Sequence, residues 1–260
     1  MKIYNLNNKP SKKYTVLTAI FGGYDKLHDP DIIQPNTDYI CITDNLNIKT
    51  NVFKLIPAPK SINENWSGRK KTYYVRYHPF EFCNSDYCIW MDASIKINKL
   101  NFDDICTKDL IYFSGYSLND YLNNFCSCVN LKNTYDCQYN YVISVNLLTI
   151  FTLLYKKYSS SFNLPEIKSI NGCFRCYKNN NIIKNKLATV FNELNNIMVL
   201  NNSVIDLNIG KTYVNDILYY DEIISGIILN EIPANQLSFD DIFKNNILLK
   251  FNHNTDNTIF

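Results

Sequence analysis

Two polar residues follow a strongly apolar segment in the first half of the chain. Asp92 comes directly after Tyr87–Met91, and Ser94 lies two residues further along. An acid at the end of an apolar strand either caps the turn that follows or binds a ligand. Asp92 and Ser94 are therefore the first candidates for a functional site.

Polar residues also follow two other apolar segments. Tyr24 comes shortly after Tyr14–Phe21, and Asp44 ends Asp38–Asp44. Ligands of open α/β sheets bind outside the carboxyl ends of the strands, so these residues would meet at one edge if the strands are parallel. There Tyr24 could stack on a base, and Asp44 could accept a hydrogen bond from a base or a ribose. Simple turns are the alternative interpretation of both residues.

The segments that precede these residues predict the elements that must position them. Predicted strands cover Tyr14–Phe21, Asp38–Asp44, Asn51–Pro59, Tyr87–Met91 and Leu110–Tyr116, and a basic helix covers Ser67–Tyr77. Apolar strands that alternate with helices predict an α/β fold with a mostly parallel central sheet, covered by helices on both faces.

The second half of the chain is predicted to be more helical. Helices are expected over Val142–Tyr158, Ile182–Leu194, Tyr213–Asn230 and Ser238–Asn245, with strands at Gly172–Lys178 and Ile247–Phe251. Ser117 is a plausible N-cap for a helix after Leu110–Tyr116. We expect one domain over residues 1–260, with 252–260 as a loose tail.

Composition excludes several classes of function. The chain has 260 residues, of which 46% are hydrophobic, so it can bury a large core. Its net charge of +2 is not concentrated in a Lys/Arg block, which argues against nucleic-acid binding. The first residues lack an apolar leader, and the most apolar segment, Val142–Tyr158, is too short and too polar for a membrane span. We therefore expect a cytoplasmic protein without a transmembrane segment.

Nine cysteines are present, and because we expect a cytoplasmic protein, we expect them to be reduced core thiols. Two pairs, Cys126 with Cys128 and Cys173 with Cys176, have spacings that could contribute to a zinc site. No histidine lies near either pair, so structural zinc is the minor alternative.

Several stretches together resemble a known family. They are YTVLTAIFGGYDKLHDP, YICITDN, Trp66 with Gly68–Lys71, YCIWMDASIKI and ANQLSFDDI. They are similar to the GT-A-type glycosyltransferase-like domain family, which includes plant mucilage and pollen-tube glycosyltransferase-like proteins and bacterial capsule-region proteins. The resemblance implies a GT-A-like, Rossmann-like sheet, with a nucleotide-sugar-binding half at 14–97 and an acceptor-side half at 98–251.

The resemblance also implies a divalent cation, Mn²⁺ or Mg²⁺. GT-A enzymes hold this cation with an Asp-x-Asp at the end of the central strand, and here Asp92 takes the first position. The second position is Ser94, which brings a hydroxyl but no negative charge. Several GT-A families complete the metal site with a late histidine, which assigns His253 as a further ligand. A site with one acid should bind a cation more weakly than one with two.

The donor nucleotide is assigned by the same resemblance to the first half of the chain. The backbone of Thr18 and Ala19 would contact the base, on which Tyr24 would stack, while Asp44 would bind the nucleoside. Arg69, at the start of the predicted helix, would reach the diphosphate oxygens.

Gln236 completes the predicted site as the residue that binds the sugar, with Asp92 as the other catalytic residue. The family usually shows Asp-Gln where this chain has Asn235-Gln236, and an asparagine cannot act as a general base. The resemblance therefore implies a glycosyltransferase that moves a sugar from a nucleotide-diphosphate donor, UDP-linked, to a glycan or protein acceptor. Inversion and retention both stay open. The alternative is a weak or inactive nucleotide-sugar-binding or assembly module on the same fold.

Overall fold

A computed structural model describes residues 12–117, 153–158, 168–204 and 220–251 of the chain. The strands are β1 (Tyr14–Ile20), β2 (Thr37–Thr43), β3 (Lys54–Pro57), β4 (Tyr87–Met91), β5 (Ile95–Ile97), β6 (Leu110–Ser117), β7 (Lys168–Lys178), β8 (Ala234–Leu237) and β9 (Leu248–Lys250). The helices are α1 (Gly68–Tyr77), α2 (Phe102–Ile105), α3 (Asn181–Val204), α4 (Tyr220–Leu229) and α5 (Phe239–Lys244). A short 3-10 turn covers Pro79–Glu81, and residues 153–158 are also helical.

Seven strands form the central sheet in the order β3-β2-β1-β4-β7-β6-β8. The first four run parallel to one another, β7 runs antiparallel between β4 and β6, and β8 is parallel to β6. The predicted α/β fold with a mostly parallel sheet is confirmed. The chain builds outwards from β1 to β3 and then crosses to the other side of β1, so the strand order reverses between β1 and β4.

Each face of the sheet buries its own apolar cluster, because successive side chains of a strand point to opposite faces. One cluster joins the sheet to α1, α3 and α4 and includes Leu17, Val75, Trp90, Leu187 and Ile224. The other lies under α2, α5 and the antiparallel pair β5–β9, and includes Val16, Ile89, Ile95, Phe102 and Leu248. The central strand β4 contributes to both clusters, and all five of its residues are buried.

Helix α1 follows the predicted boundaries. Ser67 is its N-cap and accepts a hydrogen bond from the Lys70 backbone N–H at 3.3 Å. The helix ends at Tyr77, just before His78 and Pro79, because the residue before a proline is disfavoured in helical geometry. Ser238 caps α5 in the same way, through the Asp241 N–H, as the sequence predicted.

Some predictions need correction. Ser117 belongs to β6 and is not described as a helix N-cap, and the segment that it was expected to cap lies outside the described residues. Helix α3 extends to Val204, beyond the predicted Leu194, and β7 begins at Lys168 rather than at Gly172. Strand β8 was not predicted at all.

Two predicted helices fall only partly within the described residues. Residues 153–158 of the predicted Val142–Tyr158 are helical, as is Tyr220–Leu229 of the predicted Tyr213–Asn230. Within the described ranges no helix combines the length and the apolar character needed to cross a membrane.

Candidate functional site

The reversal of strand order between β1 and β4 marks the place where open α/β sheets bind ligands. The ladder between them pairs Tyr14–Leu17 with Tyr87–Trp90, whereas β1 continues to Ile20. Because β2 and β4 both run parallel to β1, the carboxyl ends of all three strands lie at one edge, as the sequence predicted.

Asp92 leaves the end of β4 with its backbone held on two sides. Its N–H donates to the Cys173 carbonyl on β7 at 2.9 Å, and its own carbonyl accepts from the Ile95 N–H at 2.9 Å. The second contact closes the turn that leads into β5. The turn is therefore closed by the Asp92 backbone, whereas the Asp92 side chain contacts residues outside the turn.

The Asp92 carboxylate is held through one oxygen. Its Oδ1 accepts from Arg76 Nη2 at 3.1 Å and from the indole N–H of Trp90 at 3.2 Å. No hydrogen bond to Oδ2 comes from any residue that the structure describes, and 31% of the side chain is exposed. Asp92 Oδ2 is consequently the oxygen that this acid can offer to a ligand.

Arg76 connects Asp92 to a buried polar network. Its Nη1 donates to Asp221 Oδ2 at 2.6 Å, and Arg175 Nη2 donates to the same oxygen at 3.2 Å. Tyr77 and Ser225 complete the network through hydrogen bonds to Arg175 and to each other. Burial by itself would lower the pKa of Arg76, but the charges of Asp221 and Asp92 raise it above its ordinary value. The guanidinium thus stays charged beside Asp92.

Glu222, next to Asp221 in the first turn of α4, is a second acid beside this network. Its Oε1 accepts from the Gly172 N–H at 2.8 Å. A Cβ at Gly172 would lie 2.9 Å from Arg76 Nη1 and 3.4 Å from Glu222 Oε1, so the glycine lets both side chains approach the backbone of β7. Burial, and then the charge of Asp221, raise the pKa of Glu222 to about 7.

Ser94 is 2% exposed, and its carbonyl accepts from the Phe251 N–H at 2.8 Å. The pairing of β5 with β9 thus brings Phe251, the residue after β9, close to the turn formed by Asp92–Ser94. His253 follows two residues later and lies outside the described residues. Among the residues that are described, no group of three or more His, Cys, Asp or Glu side chains could hold a metal ion. The described residues therefore supply one oxygen ligand that suits a divalent cation, Asp92 Oδ2.

The predicted zinc pairs do not form a site within the described ranges. Cys173 and Cys176 are both buried in β7, and the Cys176 thiol contacts Cys106. Cys126 and Cys128 lie outside the described residues.

The predicted nucleoside-binding residues lie at the ends of β1 and β2. Thr18 and Ala19 are buried in β1 and pair with β2, and the Thr18 hydroxyl has no hydrogen-bond partner among the described residues. Asp44 accepts from the Gly22 N–H at 2.9 Å, which fixes the turn after β1 against the end of β2. Tyr24 is 58% exposed on that turn.

The start of α1 packs against the end of β1 and brings Arg69 to the same edge. Gly68 lies so close to Phe21 that a Cβ at this position would be 3.4 Å from the Phe21 Cβ. Of the neighbouring lysines, Lys70 donates to Asn195 on α3 at 2.6 Å. Lys71 Nζ lies over the Phe21 ring, 5.9 Å from its centroid.

Gln236 lies on β8, away from Asp92. Its Nε2 donates to the Tyr112 hydroxyl at 2.8 Å. Trp90 pairs with Arg175, Arg175 with Tyr112, and Tyr112 with Gln236, so three strand spacings separate Gln236 from β4. At a little under 5 Å per spacing this is about 14 Å. The structure does not bring Gln236 into contact with Asp92.

Sequence reasoning missed the residues that contact Asp92. Arg76 lies within an otherwise apolar part of α1, between Val75 and Tyr77, and a charged residue on a buried helix face was the available signal. Asp221 and Glu222 resemble ordinary first-turn acids, and the sequence has no feature that pairs them with a residue of α1.

Solved structures with partial similarity to this chain include two bifunctional proteins. WbbM, a bifunctional glycosyltransferase in its apo form, is 10% identical with a TM-score of 0.48, over 87% of this chain and 45% of that one. The bifunctional IspDF of Campylobacter jejuni is also 10% identical, with a TM-score of 0.35, over 89% of this chain and 53% of that one. This chain spans about half the length of each, and neither comparison assigns it an activity. No protein-family model and no curated protein matches the sequence.

Proposed function

We propose that this chain is a GT-A-type glycosyltransferase that transfers a sugar from a UDP-linked donor to a glycan or protein acceptor. The observation that carries the proposal is the position of Asp92. It directly follows the central strand β4 where the strand order reverses, with Oδ1 held by Arg76 and Oδ2 available to a ligand. A donor diphosphate bound at this edge would lie beside that carboxylate.

The nucleoside part of the donor is proposed to bind at the ends of β1 and β2. The backbone of Thr18 and Ala19 lies there, and the exposed ring of Tyr24 could stack on the base. Asp44 already fixes the turn after β1, and its carboxylate could also accept from the base or the ribose. Arg69 is proposed to bind the diphosphate, because the start of α1 packs on the same strand end.

A divalent cation, Mn²⁺ or Mg²⁺, is proposed to bind at Asp92 Oδ2, with Ser94 and His253 as further ligands. When bound, the cation would offset the charge that develops on the leaving diphosphate. The chain itself keeps Asp92 in place through Arg76 and Trp90, so the carboxylate needs little reorganisation. Positioning of the donor and stabilisation of charge would supply most of the rate enhancement.

Gln236 is proposed to hydrogen-bond the sugar. An inverting transfer also needs a base for the acceptor hydroxyl, and neither Gln236 nor Asn235 can act as one. We propose Glu222 for that role. Its pKa of about 7 suits proton transfer near neutral pH. Glu222 also lies against Gly172, as does the Arg76 side chain that contacts Asp92.

Thermal shift measurements with UDP and UDP-sugars, with and without Mn²⁺, test this function. We expect a Mn²⁺-dependent stabilisation by UDP that is lost in Asp92→Ala. The matched control is Asp104→Ala, which removes an exposed acid of α2 and should keep the stabilisation. The absence of any shift with every nucleotide at millimolar concentration would contradict the proposal.

A binding module without transferase activity is the second candidate. Arg76 forms an ion pair with Asp92, and Ser94 occupies the position where a second acid would strengthen a cation site. Radiolabelled UDP-sugars incubated with a panel of glycan and peptide acceptors separate the two candidates. Nucleotide binding without any hydrolysis or transfer would favour the module, whereas turnover that depends on Asp92 would favour the enzyme.

A further inference from the structure

Two cysteine thiols meet in the core on the face of the sheet that α2 and α5 cover. Cys106 Sγ and Cys176 Sγ lie 3.2 Å apart, about 1.2 Å longer than the sulfur–sulfur bond of a disulfide. Both side chains are 0% exposed. Neither thiol has another hydrogen-bond partner among the described residues, so each faces the other in an apolar cluster.

The fold itself imposes this contact. Cys106 is the C-cap of α2, and the chain then turns directly into β6. Ile111 of β6 pairs with Cys176 of β7, so the strand pairing brings the end of α2 back over β7. The two cysteines are 70 positions apart in sequence, and a bond between them would link two segments that only tertiary structure joins.

We propose that Cys106 and Cys176 form a disulfide when the chain folds in the presence of a small-molecule disulfide such as oxidised glutathione. One thiolate attacks the glutathione disulfide and releases one glutathione thiol. The other thiolate then attacks this mixed disulfide and releases the second. Two protein thiols are oxidised, one glutathione disulfide is reduced to two thiols, and the protein loses two hydrogens.

The environment of the pair determines when the reaction can occur. Burial, and then the contact with Cys106, raise the pKa of the Cys176 thiol well above its ordinary value. A thiol that stays protonated and inaccessible reacts slowly in the native state, because the thiolate is the nucleophile. The bond should therefore form during folding and, once formed, resist reduction until the core opens locally.

The experiment is to refold the full chain from denaturant in glutathione buffers that are either oxidised or reduced. After alkylation of free thiols, intact mass and peptide mapping should show a cross-linked peptide pair with Cys106 and Cys176 only in the oxidised sample. The melting temperature of the oxidised protein should be higher by on the order of 5–10 °C. Reduction under denaturing conditions, followed by refolding without oxidant, should remove this difference.

Variants separate this bond from other cysteine chemistry. Cys106→Ala and Cys176→Ala should each abolish the cross-link and the redox-dependent shift in melting temperature. Cys41→Ala is the matched control, because it also removes a fully buried thiol but should keep both effects. If alkylation finds both Cys106 and Cys176 free in wild-type protein refolded with oxidised glutathione, the proposal is wrong. This test uses only wild-type protein, so it does not depend on whether any variant folds.

Discussion

Arg76 Nη2 lies 3.1 Å from Asp92 Oδ1 and connects this half-buried acid, which follows β4, to a buried network under α4. The Arg76 side chain is 8% exposed, whereas 31% of the Asp92 side chain is exposed to solvent. The same guanidinium donates to Asp221 through Nη1, so the position of Asp92 depends on a contact inside the protein. Changes in the network should therefore affect both stability and any ligand that Asp92 binds.

Replacing Arg76 with lysine tests this link. Lysine keeps the charge, but its single ammonium group cannot contact Asp92 and Asp221 in the way that the two Nη atoms of Arg76 do. We expect Arg76→Lys to lower the free energy of unfolding by about 2 kcal/mol, because one buried contact of the charge network is lost. Urea denaturation measures this change. Arg69→Lys, in the first turn of the same helix, should change the free energy of unfolding much less, and equal losses would contradict the role given to Arg76.

Asp221 should matter more for stability than any exposed acid. It accepts from Arg76 and Arg175, both almost fully buried, and from the Tyr77 hydroxyl. Asp221→Asn would leave two buried guanidinium groups without their shared carboxylate, at a cost of about 3–5 kcal/mol. Chemical denaturation checks the value against Asp104→Asn, an exposed acid of α2 whose loss should have little effect. A loss below 1 kcal/mol would mean that the network is not a main support of the fold.

The sequence predicts local features of this arrangement, but it does not predict contacts between residues that are far apart in the chain. Strand β4 and Asp92 could be predicted because an apolar run that ends in an acid is a local pattern. The contact between Arg76 and Asp221 joins positions 145 residues apart, and no periodicity within α1 identifies its partner. Strand β8 was missed for another reason. It has four residues, of which Asn235 and Gln236 are polar, and it lies at the edge of the sheet, so only its pairing with β6 defines it.

The turn after β1 offers a test of the nucleoside-binding hypothesis. Asp44 accepts from the N–H of Gly22, whose φ of 67° lies in the left-handed region that favours glycine. Asp44→Ala removes this acceptor, and we expect UDP affinity to fall at least about tenfold if the turn and the carboxylate both serve the donor. Isothermal titration calorimetry measures the change. Asp44→Asn keeps an acceptor oxygen for Gly22, so an unchanged affinity there would assign Asp44 to the turn alone.

Glu222 should make the stability of the protein depend on pH. Burial and the charge of Asp221 raise its pKa from about 4.5 in the unfolded chain to about 7 in the folded protein. The folded state therefore binds more protons than the unfolded state between these values, and the favourable contribution is complete only below about pH 4.5. As the pH rises from about 4.5 to 7, this contribution is lost, and the free energy of unfolding should fall by at most about 3 kcal/mol.

Glu222→Gln isolates that contribution. The glutamine stays neutral, so the decrease between about pH 4.5 and 7 should flatten, while its amide oxygen can still accept from the Gly172 N–H. Urea denaturation at a series of pH values measures the slope in both proteins. Glu64→Gln, which changes an exposed glutamate, should keep the wild-type slope. If wild type and Glu222→Gln show the same dependence across this range, Glu222 is not the group that titrates, and its proposed role as a base loses its physical support.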